Sequence, residues 1–163
     1  MDVNGFFINF ILIADSHPGL RIELWLDEYD AQDEYKASQN GKTITRKFRP
    51  DGYGRYWHKD KLYSFFLELD RSTESSIRFE DKLNSYIEYH ESGSYERKFG
   101  VKFFRVLVVT TSSKHLSNLK QAADDKGKDY FWFTTIDNIR QQKMFEPIWM
   151  KSCNTGKFSL LPV

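Results

Sequence analysis

The sequence predicts an α/β domain: a mixed central sheet flanked by helices, in the order helix, strand, strand, strand, helix, strand, helix, strand. Three observations carry this. Residues 62–70 alternate cleanly, with Tyr63, Phe65, Leu67 and Leu69 on one face and Leu62, Ser64, Phe66, Glu68 and Asp70 on the other. Residues 103–111 form a near-continuous apolar run, the mark of a strand covered on both faces. Helix-period stretches follow each of these strands, so the later strands pair in parallel and the earlier, turn-connected ones antiparallel.

Residues 3–16 place Val3, Phe6, Phe7, Phe10, Ile13 and Ala14 at three- and four-residue steps, one face of a helix, and Asp15-Ser16-His17-Pro18-Gly19 stops it. Residues 20–29 alternate Leu20, Ile22, Leu24 and Leu26 with polar residues and Trp25, which reads as a strand. Residues 30–41 read as a polar loop, and 43–48 as a short extension or edge strand. Residues 52–57 form the next strand, joined to 62–70 by the charged turn His58-Lys59-Asp60-Lys61. Ser72 or Thr73 can cap a helix over residues 75–90 whose inward stripe is Phe79, Leu83, Tyr86, Ile87 and His90. Residues 91–100 read as a polar connection. Ser112 or Ser113 opens a helix to about Ala123, with Leu116, Leu119 and Ala123 inward, and Gly127 closes it. Residues 130–135 are a buried strand, and the tail with Pro147, Ile148, Trp149 and Met150 reads as an irregular lid.

The chain has 163 residues, a length that fits one domain with a real core. Hydrophobic residues make up 40% and aromatics 17%, which excludes a disordered chain. The net charge of +1 argues against a strongly basic, non-specific nucleic-acid binder but leaves room for a local basic groove. A single cysteine, Cys153, excludes an internal disulfide and a cysteine-rich zinc site. His17, His58, His90 and His115 lack zinc spacing, and Gly52-Tyr53-Gly54 lacks the rest of a phosphate loop. The apolar run 6–14 is too short to span a bilayer and follows an acidic leader without Lys or Arg, so a cytoplasmic setting away from membranes is expected.

The informative chemistry is acidic. Asp51 and Glu68 are seventeen residues apart and bridged by one hairpin, which brings them to the same end of the sheet. Glu68 and Asp70 share a face. Three carboxylates gathered there would raise one another's pKa unless paired or bound to a cation. One reading is a solvated strand end neutralised by Arg55, Arg71 or Lys82. The other is a site for Mg²⁺ or Mn²⁺, an oxygen-ligand ion that activates water and neutralises phosphate charge. Arg46, Lys47 and Arg49, with Tyr53, Arg55, Tyr56 and Trp57, form either a basic aromatic groove for nucleic acid or a solubilising edge over core aromatics. Arg71 and Arg78 flank the acids and can hold phosphate, or in the case of Arg71 neutralise a carboxylate. Arg105, inside an apolar strand, needs a partner, expected among the carboxylates.

Pro50-Asp51-Gly52, the hairpin, and Glu68-Leu69-Asp70-Arg71-Ser72-Thr73-Glu74 resemble the replication-relaxation family of bacterial plasmid and mobile-element proteins. So do Lys82-Leu83-x-x-Tyr86, the segment 105–111 with the following helix, Phe133-Thr134-Thr135, and Pro147-Ile148-Trp149, in the same order. At the front, Val3-Asn4 and Trp25 also fit. That family is in turn similar to the PD-(D/E)xK nucleases, which implies a restriction-endonuclease-like core. The resemblance makes Asp51 and Glu68 metal ligands, with Asp70 assisting. The position that holds lysine in those nucleases is Asp70 here. Lys82, twelve residues on, is the expected substitute, with Tyr86 on the same helical face; otherwise it is a surface lysine paired to Asp70 or Glu74.

Two functions follow from this. One is a plasmid replication or DNA-relaxation protein that nicks or cleaves DNA with a divalent metal, using Asp51, Glu68, Asp70 and Lys82, with Arg46, Lys47, Arg49, Arg55, Arg71, Arg78 and Tyr86 along the DNA. The other is a non-catalytic accessory that binds DNA or a replication or mobilisation protein. Members of the family carry an N-terminal winged-helix domain, and the 163 residues here are expected to form the nuclease-like domain alone.

Overall fold

The computed structural model describes residues 1–71, 76–141 and 143–161. Its elements run α1 (Val3–Asp15), β1 (Leu20–Leu26), α2 (Glu28–Ala31), β2 (Asp33–Gln39), β3 (Lys42–Phe48), β4 (Gly52–His58), β5 (Lys61–Asp70), α3 (Ser76–Glu91), α4 (Ser94–Phe99), β6 (Arg105–Thr110), α5 (Ser113–Asp125), β7 (Phe131–Thr135), α6 (Ile136–Arg140) and β8 (Met150–Lys151). Six strands form one sheet in the order β1-β4-β5-β6-β7-β8. β1, β4 and β5 pair antiparallel, β5, β6 and β7 parallel, and β8 antiparallel to β7. This is the mixed α/β architecture expected from the hydrophobic patterning. The cap expected at Ser72 or Thr73 lies outside the described residues.

Four segments differ from expectation. The strand expected over residues 20–29 ends at Leu26, because Asp27 caps the short helix α2 by accepting the Tyr29 and Asp30 N–H groups. Residues 30–41 are not a loop: most of them form β2, which pairs with β3 as a separate two-stranded sheet. Its sequence, DEYKASQ, buries only Tyr35 fully, so it carries no clear alternation. The 91–100 connection contains α4, entered and left through Gly93 and Gly100, both in the left-handed region. The tail is more ordered than a lid. α6 packs on β7, β8 extends the sheet, and Trp149 is fully buried with Nε1–H donating to the Met144 carbonyl at 2.9 Å.

The alternation of β5 divides the core. Phe65 and Leu67 face α1, packing with Phe6, Phe7 and Phe10. Phe66 faces the other side, into a cluster with Phe48, Tyr53, Tyr95 and Phe104, whose rings lie 4.9–5.7 Å from its own. β4 approaches this strand closely: a Cβ on Gly54 would fall 2.5 Å from Phe65 Cζ, so only glycine fits. α3 buries Phe79, Leu83, Tyr86 and Tyr89 against the Phe66 face. That stripe holds α3 across β5 and sets Lys82 and Tyr86, one turn apart, over the strand's acidic end.

Candidate functional site

The carboxyl ends of β5 and β6 carry the site. Pro50 is buried and ends the β2–β3 excursion. The Asp51 N–H then donates to the Leu67 carbonyl at 3.1 Å. One step further, where β4 no longer supplies a partner, Asp51 Oδ2 accepts the Leu69 N–H at 2.8 Å. A side chain thus extends the ladder by one bond, and Asp51 is fixed at the edge of β5 as the hairpin spacing required.

Glu68 is 5% exposed. Its Oε1 accepts from the Tyr86 hydroxyl at 2.5 Å and its Oε2 from Lys82 Nζ at 3.1 Å. Burial and the nearby Asp51 charge push its pKa up to about 8, against the opposing pull of Lys82 and the Tyr86 hydrogen bond. Burial beside Glu68 also holds the Tyr86 hydroxyl well above its usual range.

Asp70, on the same face and 3% exposed, belongs to a neighbouring group. Its Oδ2 accepts from Thr110 Oγ1 at 2.7 Å and lies 2.8 Å from His115 Nε2. Among the described residues, its buried Oδ1 has no hydrogen-bond partner. The three acids thus share one end of the sheet, but Asp51 and Glu68 form one corner and Asp70 another. Among the described residues, no three His, Cys, Asp or Glu side chains form a ready metal set.

The hairpin spacing brought Asp51 to Glu68, and the family resemblance offered Lys82 as one of two readings; neither pointed to His115. It reaches Asp70 only because β6 pairs in parallel with β5 and α5 starts at once after β6. Ser112 followed three residues later by His115 is the local signal. Ser112 Oγ accepts the His115 N–H at 3.1 Å, which sets this residue in the first turn beside the strand ends.

The expected DNA-contacting side chains do not form one groove. Arg46 pairs with Glu88 at 3.5 Å beside a mixed-charge cavity of about 550 Å³ that Lys47 also lines. Arg49 is exposed. Arg55 is turned inward, 14% exposed, with Nε–H donating to the Tyr53 hydroxyl at 2.9 Å, a guanidinium N–H to the Phe99 carbonyl, and Glu23 at 3.7 Å. Tyr86 is buried on Glu68. Arg71 and Arg78 are exposed, and Arg71 lines a cavity of about 360 Å³ with Thr111 and Arg140.

Arg105 corrects an expectation. Its partners are not carboxylates: the guanidinium lies between the rings of Tyr63 and Trp132, 4.7 and 4.4 Å from their centroids. It donates to the Tyr56 hydroxyl at 3.1 Å and the Leu160 carbonyl at 3.2 Å. It begins β6, at the opposite end of the sheet from the acids.

Among the described residues, no helix is long and apolar enough to cross a membrane. No curated protein and no solved structure matches the chain. A model of the replication-relaxation family matches residues 1–103, more than half of the chain. The matched span runs from α1 through α4 and includes Asp51, Glu68, Asp70 and Lys82, stopping before β6 and His115. On that match, the chain belongs to the replication-relaxation family.

Proposed function

We propose that this chain processes DNA in the replication or relaxation of a plasmid or mobile element, its Asp51–Glu68–Lys82 corner acting on a phosphodiester with a divalent cation. One observation carries this reading. Lys82 Nζ sits 3.1 Å from Glu68 Oε2, so α3 supplies an ammonium beside the acids although β5 has Asp70 at the usual lysine position. The arrangement is similar to a PD-(D/E)xK corner with its lysine moved to the following helix.

The residues fit such a cation. The donors of that corner are carboxylate oxygens, the ligand type suited to Mg²⁺ or Mn²⁺. Asp51 and Glu68 would hold the ion, with Asp70 assisting. The ion would supply an activated water and neutralise phosphate charge. Tyr86 fixes the rotamer of Glu68 through its hydrogen bond. Lys82, partly exposed, directs its ammonium to the same point and steadies negative charge on a phosphate oxygen. The exposed Lys47, Arg49, Arg71 and Arg78 would meet phosphates at separate points around the corner, not along one groove.

A second reading rests on Glu68 itself. It is buried, bonded to Tyr86 and Lys82, and inclined to hold a proton at neutral pH, which suits a structural carboxyl in a non-catalytic accessory that binds DNA or a replication or mobilisation partner. A nicking assay on supercoiled plasmid with Mg²⁺ or Mn²⁺ separates the two. The nuclease reading expects open circles from the parent and their loss in Glu68→Gln. Activity that survives Glu68→Gln overturns the site assignment, and inactivity of the parent leaves the accessory reading.

A further inference from the structure

The geometry points to a transition-metal position formed by Asp70 and His115, a site for Mn²⁺ or Co²⁺ rather than Mg²⁺. It rests on the reading of this sheet end as a metal-dependent site and adds to it a nitrogen donor from α5.

Two buried atoms on neighbouring side chains lack hydrogen bonds among the described residues: Asp70 Oδ1 and His115 Nε2. Such atoms are rare and call for an ion or water. Nε2 lies only 2.8 Å from Asp70 Oδ2, yet its ring N–H is not aligned on that oxygen. The two groups stand side by side instead of one donating to the other. Ligands at adjacent positions on one cation, each about 2.1 Å from it, are separated by about 3 Å.

The surroundings hold this pair in place. Thr110, fully buried, donates to Asp70 Oδ2 and orients the carboxylate. The Ser112 cap fixes the turn that carries His115. An imidazole nitrogen beside a carboxylate oxygen suits Mn²⁺, Co²⁺ or Zn²⁺, whereas Mg²⁺ prefers oxygen alone. Two protein ligands leave the other positions to water or a phosphate oxygen.

A cleft of about 140 Å³ borders His115 between α3 and α5, walled by Phe79 and Leu119 with Ser76, Glu80 and Asn118 at its polar margin. That volume takes roughly five waters, too little for a nucleotide. Glu80 is held near Lys126, at 3.9 Å.

The test uses the full chain and the metals alone. The four histidines, His17, His58, His90 and His115, serve as one another's controls. Substoichiometric Mn²⁺ should broaden the imidazole resonances of His115 before those of the other three. Co²⁺ titrated by its visible absorption should bind the parent and weaken at least tenfold in His115→Ala and Asp70→Asn. Far-ultraviolet circular dichroism checks each fold, and His115→Gln replaces Asp70→Asn if the latter does not fold. Uniform or absent broadening, or Co²⁺ affinity within twofold of the parent in His115→Ala, overturns the inference. Asp51→Asn separates it from the function above. Nicking lost in Asp51→Asn with His115 broadening retained supports the Asp70–His115 position. Nicking by the parent without a Co²⁺ signal overturns that position and leaves the nicking function standing.

Discussion

Arg105 and Glu68 lie at opposite ends of the same pair of strands, and the fold treats their charges differently. Arg105 is stacked between two rings and hydrogen-bonded to a hydroxyl and a carbonyl, all from this chain. Its charge is matched by architecture: Tyr56 also donates to Leu160 at 2.9 Å, so the guanidinium fastens the C-terminal segment to the sheet. At the acidic end the matching is incomplete. Glu68 shares its corner with another acid, and two atoms of the Asp70–His115 pair have no hydrogen-bond partner among the described residues. A charge the fold satisfies completely holds the molecule together, while a set left short has capacity for a ligand.

The largest stability effect belongs to the satisfied end. Arg105→Ala removes two ring contacts and two hydrogen bonds, an expected loss of about 2–4 kcal/mol. Urea denaturation measures it, and Co²⁺ binding by the folded variant should not change. A fully stable variant would mean that the ring stack is not architectural.

Tyr86→Phe comes next. It removes the hydroxyl on Glu68 Oε1 and leaves a buried carboxyl short of a donor, at a cost of about 1–3 kcal/mol. That hydrogen bond lowers the Glu68 pKa, so the variant should lose more stability near pH 9 than near pH 6 by roughly 1 kcal/mol, a tenfold change in the proton equilibrium. Denaturant melts at the two pH values check this.

Glu68→Gln tests the sign of the same effect without metal. The folded chain holds the Glu68 proton more tightly than the unfolded chain, with the pKa raised from 4.5 to about 8. Glu68 therefore contributes full stability below about pH 4.5 and loses it as pH rises through about 8. The parent's Tm should fall between those values more steeply than the variant's, by about 3 °C or more. Parallel Tm profiles would mean that Glu68 is ionised at no cost.

The smallest effect is at Arg46, paired with Glu88 while both are about 40% exposed. Arg46→Ala should change stability by less than about 1 kcal/mol. Fluorescence anisotropy with duplex DNA should show weaker binding with a shallower salt dependence. Unchanged affinity would remove Arg46 from the interface.

The legible parts of the chain were those where one residue's environment follows from its neighbours. The alternation of residues 62–70 placed Glu68 and Asp70 on one face, and the hairpin placed Asp51 at their end. The stripe of Phe79, Leu83 and Tyr86 gave α3, but whether Lys82 reaches Glu68 depends on how α3 lies across β5, which the stripe does not record. β2 escaped because a two-stranded sheet buries little, so DEYKASQ shows no period. α4 escaped because SYERKF is one and a half turns between polar residues. His115 meets Asp70 across 45 positions of sequence, through the β5–β6 crossover and the turn into α5, which no local spacing records.

The most direct test compares the two ends in one assay: nicking of supercoiled plasmid in Mn²⁺ by the parent, Lys82→Met and Arg105→Met. The account predicts that the parent nicks, that Lys82→Met loses about 100-fold or more, and that folded Arg105→Met keeps the parent's rate within a few fold. Nicking by Lys82→Met at the parent's rate, or none by the parent, would contradict it.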